Sequence, residues 1–311
     1  MPNSVLVTGG YGFLGRAVAR GFQQRGYRVV GIGHGRWAPE EAHAFGFSFW
    51  LDAGVTLSSL MTLREPLELI IHCGGNGSVG FSLTNPLEDF YKTVQTTANL
   101  LEFMRLTSSR ALLIYPSSAA VYGSKPDRPI KETDSLAPIS PYGVHKKIVE
   151  DLLASYSKSY GIRVAVVRFF SIYGPGLTKQ LLWEASMRLR AAGEHPAVFW
   201  GTGEETRDWL NCEDAAALIF AVRQTAEPFT TINGGSGRRV TVRDTLTLLN
   251  SALDTGSSFV FNQQVREGDP RFYHADIKRA TALNWTTKVS LESGIQLYGN
   301  WLKSLRNEAD D

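Results

Sequence analysis

One stretch constrains this chain more than any other. Val5-Leu6-Val7-Thr8 runs without a break into Gly9-Gly10-Tyr11-Gly12-Phe13-Leu14-Gly15, and a helical pattern from Phe13 to Arg25 follows. A short apolar run predicts a strand, and the stretch after it predicts a helix ended near Gly26. Glycines at 9, 12 and 15 permit a tight turn, close approach of a pyrophosphate, and close packing of helix on strand. The helix start then offers free N–H groups and the positive end of its dipole to an anion. Gly9, Gly12, Phe13, Leu14 and Gly15 are therefore candidate dinucleotide-binding residues. A ligand-free glycine-rich turn is the alternative, and the flanking strand and helix argue against it.

The rest of the first half repeats the alternation. Strands are predicted at Arg28–Ile32, Phe47–Leu51, Leu69–Cys73, Ala111–Tyr115 and Arg163–Phe169, with long helices over Leu87–Leu106 and Pro141–Tyr160. Continuous apolar strands separated by helices imply an α/β fold, a doubly wound parallel sheet covered on both faces. After Phe170 turn clusters become frequent and the strands look isolated. We expect a dinucleotide-binding domain over 1–169, with returns around 207–235, and a smaller interleaved α/β substrate domain over 170–311. The end, Asn307–Asp311, reads as a frayed tail.

Several function classes drop out on composition. The 32 basic and 30 acidic residues give a net charge of +2, which offers no nucleic-acid or membrane surface. Two cysteines make neither a disulfide framework nor a metal knuckle, so no metal site is expected. With no signal-peptide core and no run near the roughly 20 apolar residues of a membrane span, a cytoplasmic soluble protein is expected.

A dinucleotide's adenosine ribose should meet the end of the second strand, where a carboxylate would bind the 2′-hydroxyl of NAD. Here that end reads Gly31-Ile32-Gly33-His34-Gly35-Arg36. His34 and Arg36 either face a 2′-phosphate, which favours NADP over NAD, or simply face solvent. Asp52 is placed to meet the adenine amino group.

Pro141-Tyr142-Gly143-Val144-His145-Lys146 puts a tyrosine and a lysine four apart on one helical face. A phenol titrates near 10, and a neighbouring ammonium would lower that toward useful acid–base range. The alternative, a chance pair on a solvated helix, is weakened by the fifth strand, which ends in Pro116-Ser117-Ser118-Ala119-Ala120-Val121-Tyr122-Gly123. That strand delivers serine hydroxyls to the sheet edge where ligands of open α/β sheets bind.

With these motifs the chain resembles the extended short-chain dehydrogenase/reductase family, in its nucleotide-sugar epimerase/dehydratase branch. The likeness is carried by Thr8–Gly15, Ser117–Gly123, Ser140-Pro141-Tyr142-Gly143, Arg168–Gly176 and Arg207-Asp208-Trp209, and it runs over nearly the whole chain. It implies that Tyr142 is the acid–base residue, that Lys146 binds the nicotinamide ribose and lowers the tyrosine pKa, and that Ser118 hydrogen-bonds the reacting sugar oxygen. Ser117 would shape the pocket. By the same resemblance the stretch from His72 to Gly80 lines both ligands, with Cys73, Gly74 and Gly75 toward the cofactor and Ser78 and Val79 toward the substrate. Cys73 also reads as a small core residue. Arg207 and Arg266 would hold a sugar-nucleotide diphosphate, where planar guanidiniums suit paired phosphates; surface ion pairs are the alternative.

Departures from the family pattern narrow the reaction. Ala119-Ala120 stand where the 4,6-dehydratases carry an Asp-Glu pair, so dehydration is not expected. Gly77 stands where the 4-epimerases often have lysine, Thr93 and Ser171 where asparagines are usual, and His145 is expected to face solvent. The missing carboxylate after the second strand and the available Arg36 favour a single NADPH-dependent reduction of a 4-keto-6-deoxy sugar nucleotide. A 4-epimerase with tightly held NAD is the alternative, and a non-catalytic NADP-binding sensor the remote one. The implied partners are a nucleoside-diphosphate sugar and, through the helices around 90–106 and 142–160, a second copy of the chain.

Overall fold

Val5, Leu6 and Val7 are fully buried, so the first strand is covered on both faces. The computed structural model describes residues 3–107, 109–193, 195–264 and 270–307. Its strands β1 (Ser4–Thr8), β2 (Arg28–Gly33), β3 (Phe49–Asp52), β4 (Leu69–His72), β5 (Leu112–Ser118), β6 (Val164–Phe169) and β7 (Phe229–Gly234) form one seven-stranded sheet in the order β7-β6-β5-β4-β1-β2-β3. Every neighbouring pair is parallel. The order reverses between β1 and β4, and ligands of such sheets bind at the carboxyl ends beside that switch.

Side chains alternate along the strands, which sorts the core into two layers. Val5 and Val7 face α1 (Phe13–Gln23), packing with Val18 and Phe22, while Leu6 and Ile70 face α2 (Thr96–Leu106), packing with Leu100 and Leu101. Helix α3 (Pro141–Tyr160) adds Val149 and Leu153 to the second layer. Each such buried aliphatic side chain contributes about 1.5–3 kcal/mol. Beyond β6 the chain forms α4 (Gln180–Ala191), α5 (Cys212–Val222), α6 (Val242–Leu253) and α7 (Leu291–Asn307). Helix α5 joins the α1 layer through Leu218 and Ile219. A third apolar cluster unites Leu182, Leu189, Leu246, Leu249, Ile295 and Tyr298 from α4, α6 and α7. Three short strand pairs accompany it, Ser171–Tyr173 with Trp209–Asn211, Thr206–Arg207 with Val240–Thr241, and Ala197–Phe199 with Phe259–Phe261. No helix among the described residues is long and apolar enough to cross a membrane.

Apart from shifts of a residue or two at element ends, two elements differ from the sequence reading. Strand β5 continues past Tyr115 to Ser118, through Pro116. Its pairing with β4 ends at Ile114, whereas its pairing with β6 reaches Ser118. The nitrogens of 112, 114 and 116 face the β4 side, as the bond from Leu112 to Glu68 shows, so the proline ring falls on an open edge where no N–H is needed. The stretch expected as one helix from Leu87 begins at Pro86 and carries a π turn, Tyr91–Gln95, before α2. The Thr97 hydroxyl takes the Thr93 carbonyl at 2.8 Å, and the widened turn lets Thr93 Oγ1 accept from Asn76 N at 3.3 Å.

Candidate active site

The glycine turn opens directly into α1. Gly12 precedes that helix with no side-chain cap, and the first turn carries no acid, so its N–H groups face outward unanswered. Gly9 has φ +64°, and a Cβ there would lie 2.7 Å from the Cys73 backbone; one on Gly15 would lie 2.4 Å from the Gly9 carbonyl. Only glycine fits, and the resulting cradle has the shape and polarity that a pyrophosphate needs. Thr8 Oγ1 bonds His72 Nδ1 at 2.6 Å and accepts from Gly74 N at 3.1 Å, which ties the ends of β1 and β4 together.

At the β5 end, Ser117 Oγ donates to Glu150 Oε1 at 2.6 Å, whereas Ser118 Oγ accepts from Ala120 N at 3.2 Å at the rim. Glu150 is bound in turn by Arg168, with Nη2 to Oε2 at 2.7 Å, and Arg168 Nη1 donates to Tyr122 OH at 3.0 Å. This buried network fixes β5 and β6 against α3. Helix α3 starts at Pro141 under a Ser140 cap that accepts from Gly143 N at 3.2 Å, a combination favoured at helix starts. A Cβ on Gly143 would meet the Ala120 carbonyl at 2.6 Å, so glycine lets α3 dock on the β5 end. Lys146 lies on the buried stripe of α3, and its Nζ donates to the Pro116 carbonyl at 3.1 Å.

Against the expected lowering by Lys146, burial dominates at Tyr142. Burial pushes the Tyr142 phenol up to about 12, with a Ser118 hydrogen bond pulling the other way. Lys146 Nζ stands 5.8 Å from the phenol ring centre, and burial brings its own pKa down to about 8. The arrangement therefore offers a proton-holding phenol beside a serine hydroxyl and a lysine that titrates near neutrality. The expectation that His145 faces solvent is corrected. It is largely buried, and its Nδ1 pairs with the buried Asp89 carboxylate.

A single cleft of about 480 Å³ joins these parts. It brings together Gly9, Gly12, Phe13, Leu14, Gly15, Cys73, Gly75, Ser78, Val79, Ser118, Tyr142, Lys146, Ser171 and Arg207. Burial pushes the Cys73 thiol up to about 12. Arg207 Nη1 donates to the carbonyls of Thr206 and Pro270, each at 2.9 Å. The guanidinium also borders a second cavity of about 260 Å³, walled by Trp200 and Arg271. Its neighbour Asp208 is fully buried and accepts from Ser236, Gly237 and Ala275 backbone N–H groups. Gly74 does not line the cleft, and its N–H is taken by Thr8 Oγ1. His34, Arg36 and Asp52 lie outside the lining, exposed beyond β2 and β3, with Asp52 Oδ1 accepting from Gly35 N at 3.4 Å. Arg266 lies outside the described residues.

Sequence reasoning missed Lys179 and Gln180, which reach the cleft from the start of α4. Gln180 Nε2 donates to the Gly77 carbonyl at 2.7 Å, and a Cβ on Gly77 would lie 3.2 Å from Lys179 Nζ. Gly77, which has no side chain of its own, thus makes room for a lysine from across the cleft. No local pattern signals a contact between positions so distant in sequence.

Comparison with known proteins now decides the family, because residues 5–235 match the model of the NAD dependent epimerase/dehydratase family. The chain belongs to that family. A Methanocaldococcus jannaschii relative provisionally named a UDP-glucose 4-epimerase is 27% identical, the match covering 96% of this chain and 98% of the relative. Among solved structures, the UDP-glucose 4-epimerase of Thermotoga maritima with UDP-glucose superposes with a TM-score of 0.87 at 24% identity, covering 97% of this chain and 99% of that one. MoeE5 in complex with UDP-glucose and NAD superposes at 0.84 and 26% identity, covering 98% and 100%. Membership of the epimerase/dehydratase family makes this an NAD(P)-dependent nucleotide-sugar enzyme of the short-chain dehydrogenase/reductase type.

Proposed function

We propose that the protein is a nucleoside-diphosphate-hexose 4-epimerase using NAD, in place of the ketoreductase that the sequence put first. The observation that carries this reading is the continuity of one cleft from the glycine cradle, past Ser118, Tyr142 and Lys146, to Arg207. Relatives named for 4-epimerisation along nearly the full length support the reaction. The bound dinucleotide would rest on Gly9, Gly12 and Gly15 and supply a hydride acceptor that later gives the hydride back. Tyr142 moves the proton on and off the C4 oxygen, and Ser118 hydrogen-bonds the same oxygen and orients it. Lys146, anchored on Pro116, keeps positive charge beside the phenol below about pH 8. Arg207 clamps the diphosphate, so the hexose can turn while its nucleotide stays fixed. Gly75, Gly77 and Gly80 carry no side chains on the wall beside that hexose, where Gly77 yields its place to Lys179. On this reading residues 1–169, with returns near 207–235, hold the dinucleotide, and 170–311 hold the sugar nucleotide. Exposed Leu87, Tyr91 and Val144 are the surface through which a second copy of the chain would dock.

One observation favours the second reading, single reduction with NADPH. No carboxylate stands at the end of β2, where Gly33 lies so close under Trp50 that a Cβ would approach it to 3.2 Å, and Arg36 is exposed nearby. Incubation with UDP-glucose, without added cofactor, separates the two. The epimerase gives the C4 epimer in amounts exceeding the enzyme and releases NAD on denaturation. Stoichiometric NADPH consumption on a 4-keto sugar nucleotide, with no epimer from UDP-glucose, would return the reductase.

A further inference from the structure

The Asp89 carboxylate is fully buried, and a buried carboxylate persists only with partners for its oxygens. Its two partners come from elements on opposite sides of it. Asn76 Nδ2 donates to Oδ1 at 2.7 Å, and His145 Nδ1 meets Oδ2. Asn76 lies in the loop after β4, where its side chain also accepts from Ser78 N at 3.1 Å and donates to Ser78 O at 2.9 Å. That fixes Ser78, which caps the helix Val79–Thr84 through Phe81 N at 3.2 Å. His145 immediately precedes Lys146 on α3, and its ring stands edge-on to Phe90 at 5.6 Å. Neither Asp89 nor His145 lines the cleft. A second tie runs the same way, with Tyr142 N donating to Ser82 Oγ at 3.0 Å and Ser82 Oγ to the Val79 carbonyl at 2.7 Å.

We propose that Asp89 and His145 are positioning residues that clamp the catalytic helix to the Ser78–Val79 loop, so that Tyr142 and the wall facing the sugar keep one fixed separation. The proposal rests on the 4-epimerase reading and deepens it. A hexose that must return its C4 oxygen to a single phenol after it has turned needs that phenol and the opposing wall held rigidly to each other. Hydrogen bonds from Asn76 and His145 to one carboxylate do this without occupying space in the cleft.

The test compares His145→Ala and His145→Asn, whose amide N–H stands near the position of Nδ1, in the full-length protein. Loss of a hydrogen bond to a buried charge should lower kcat/KM for UDP-glucose by about tenfold or more, through both kcat and KM. Dinucleotide affinity should stay within about twofold, because the cradle is untouched. Hydrogen exchange should speed up at the amides of 76–82 in His145→Ala and return toward the parent in His145→Asn. Parent-like exchange and kinetics in His145→Ala would overturn the clamp, as would failure of His145→Asn to restore either when the two variants melt alike. If the parent inverts no sugar nucleotide, the epimerase reading fails, and the exchange comparison still decides the clamp.

Discussion

Glu150→Ala should destabilise the protein severely while leaving the surface unchanged. The Glu150 and Arg168 side chains are 6% and 7% exposed. Glu150 accepts from Ser117 Oγ at 2.6 Å, from Arg168 Nη2 at 2.7 Å, and from Arg168 Nε at 3.1 and 3.2 Å. Truncation leaves the Arg168 charge buried with Tyr122 OH at 3.0 Å and the Glu132 carbonyl at 3.1 Å. Breaking a buried pair by removing one partner costs about 3–5 kcal/mol, a large share of the roughly 5–15 kcal/mol that holds a folded domain. Glu150→Gln retains an acceptor for Ser117 and should lose less, about 1.5–3 kcal/mol. Adding Arg168→Ala to Glu150→Ala removes the stranded charge, so the double variant should fall short of the summed losses by about 1–3 kcal/mol. Urea unfolding followed by tryptophan fluorescence measures all five proteins: the parent, Glu150→Ala, Glu150→Gln, Arg168→Ala and the double variant. A loss below about 1 kcal/mol in Glu150→Ala, or strict additivity in the double variant, would refute the reasoning.

Tyr142→Phe keeps the ring and removes the proton carrier, so epimer formation should fall by roughly 10²–10⁴-fold with dinucleotide affinity nearly unchanged; near-parent turnover rejects the assignment. Arg207→Ala should weaken UDP-glucose binding by about 1.5–3 kcal/mol in calorimetry, the scale of a lost charged hydrogen bond, and equal binding would return Arg207 to a purely structural role. His72 is buried and held neutral, its pKa lowered to about 3 by desolvation. Between pH 6.5 and 3 the unfolded chain therefore binds a proton that the native state refuses, and stability falls on acidification by up to about 1.4 kcal/mol per pH unit. Urea midpoints at pH 7 and pH 5 in parent and His72→Gln test this, since the variant should lose that part of the slope.

Much of the fold was legible because parallel strands covered on both faces read as unbroken apolar runs, as Val5–Val7 and Leu69–Ile71 do. The glycine cradle was legible because its demands are local and steric. What escaped notice depends on neighbours distant in sequence. Pro116 reads as a strand stop, yet its position is harmless because β4 has already ended. His145 sits among polar neighbours on a helix start and reads as solvated; its acidic partner lies 56 residues away. The Tyr–Lys spacing singles out the pair, but spacing carries no information about desolvation, which dominates at Tyr142. Lys179 and Gln180 share no motif with Gly77, and only the folded chain brings them together.

The unequal lengths of β4 and β5 have a consequence for how this site tolerates change. Because β5 overhangs its neighbour, the Pro116 carbonyl is left as a ledge with no strand to claim it, and the Lys146 ammonium rests on that ledge. The lysine's height above the sheet is thus gauged by the main chain, which side-chain substitution cannot alter. Two further residues of pairing at the end of β4 would cover the ledge and displace Lys146, even with Ser118, Tyr142 and Lys146 all intact. The chain should therefore tolerate added length poorly at a place that contributes no catalytic side chain, the few residues between His72 and Gly75.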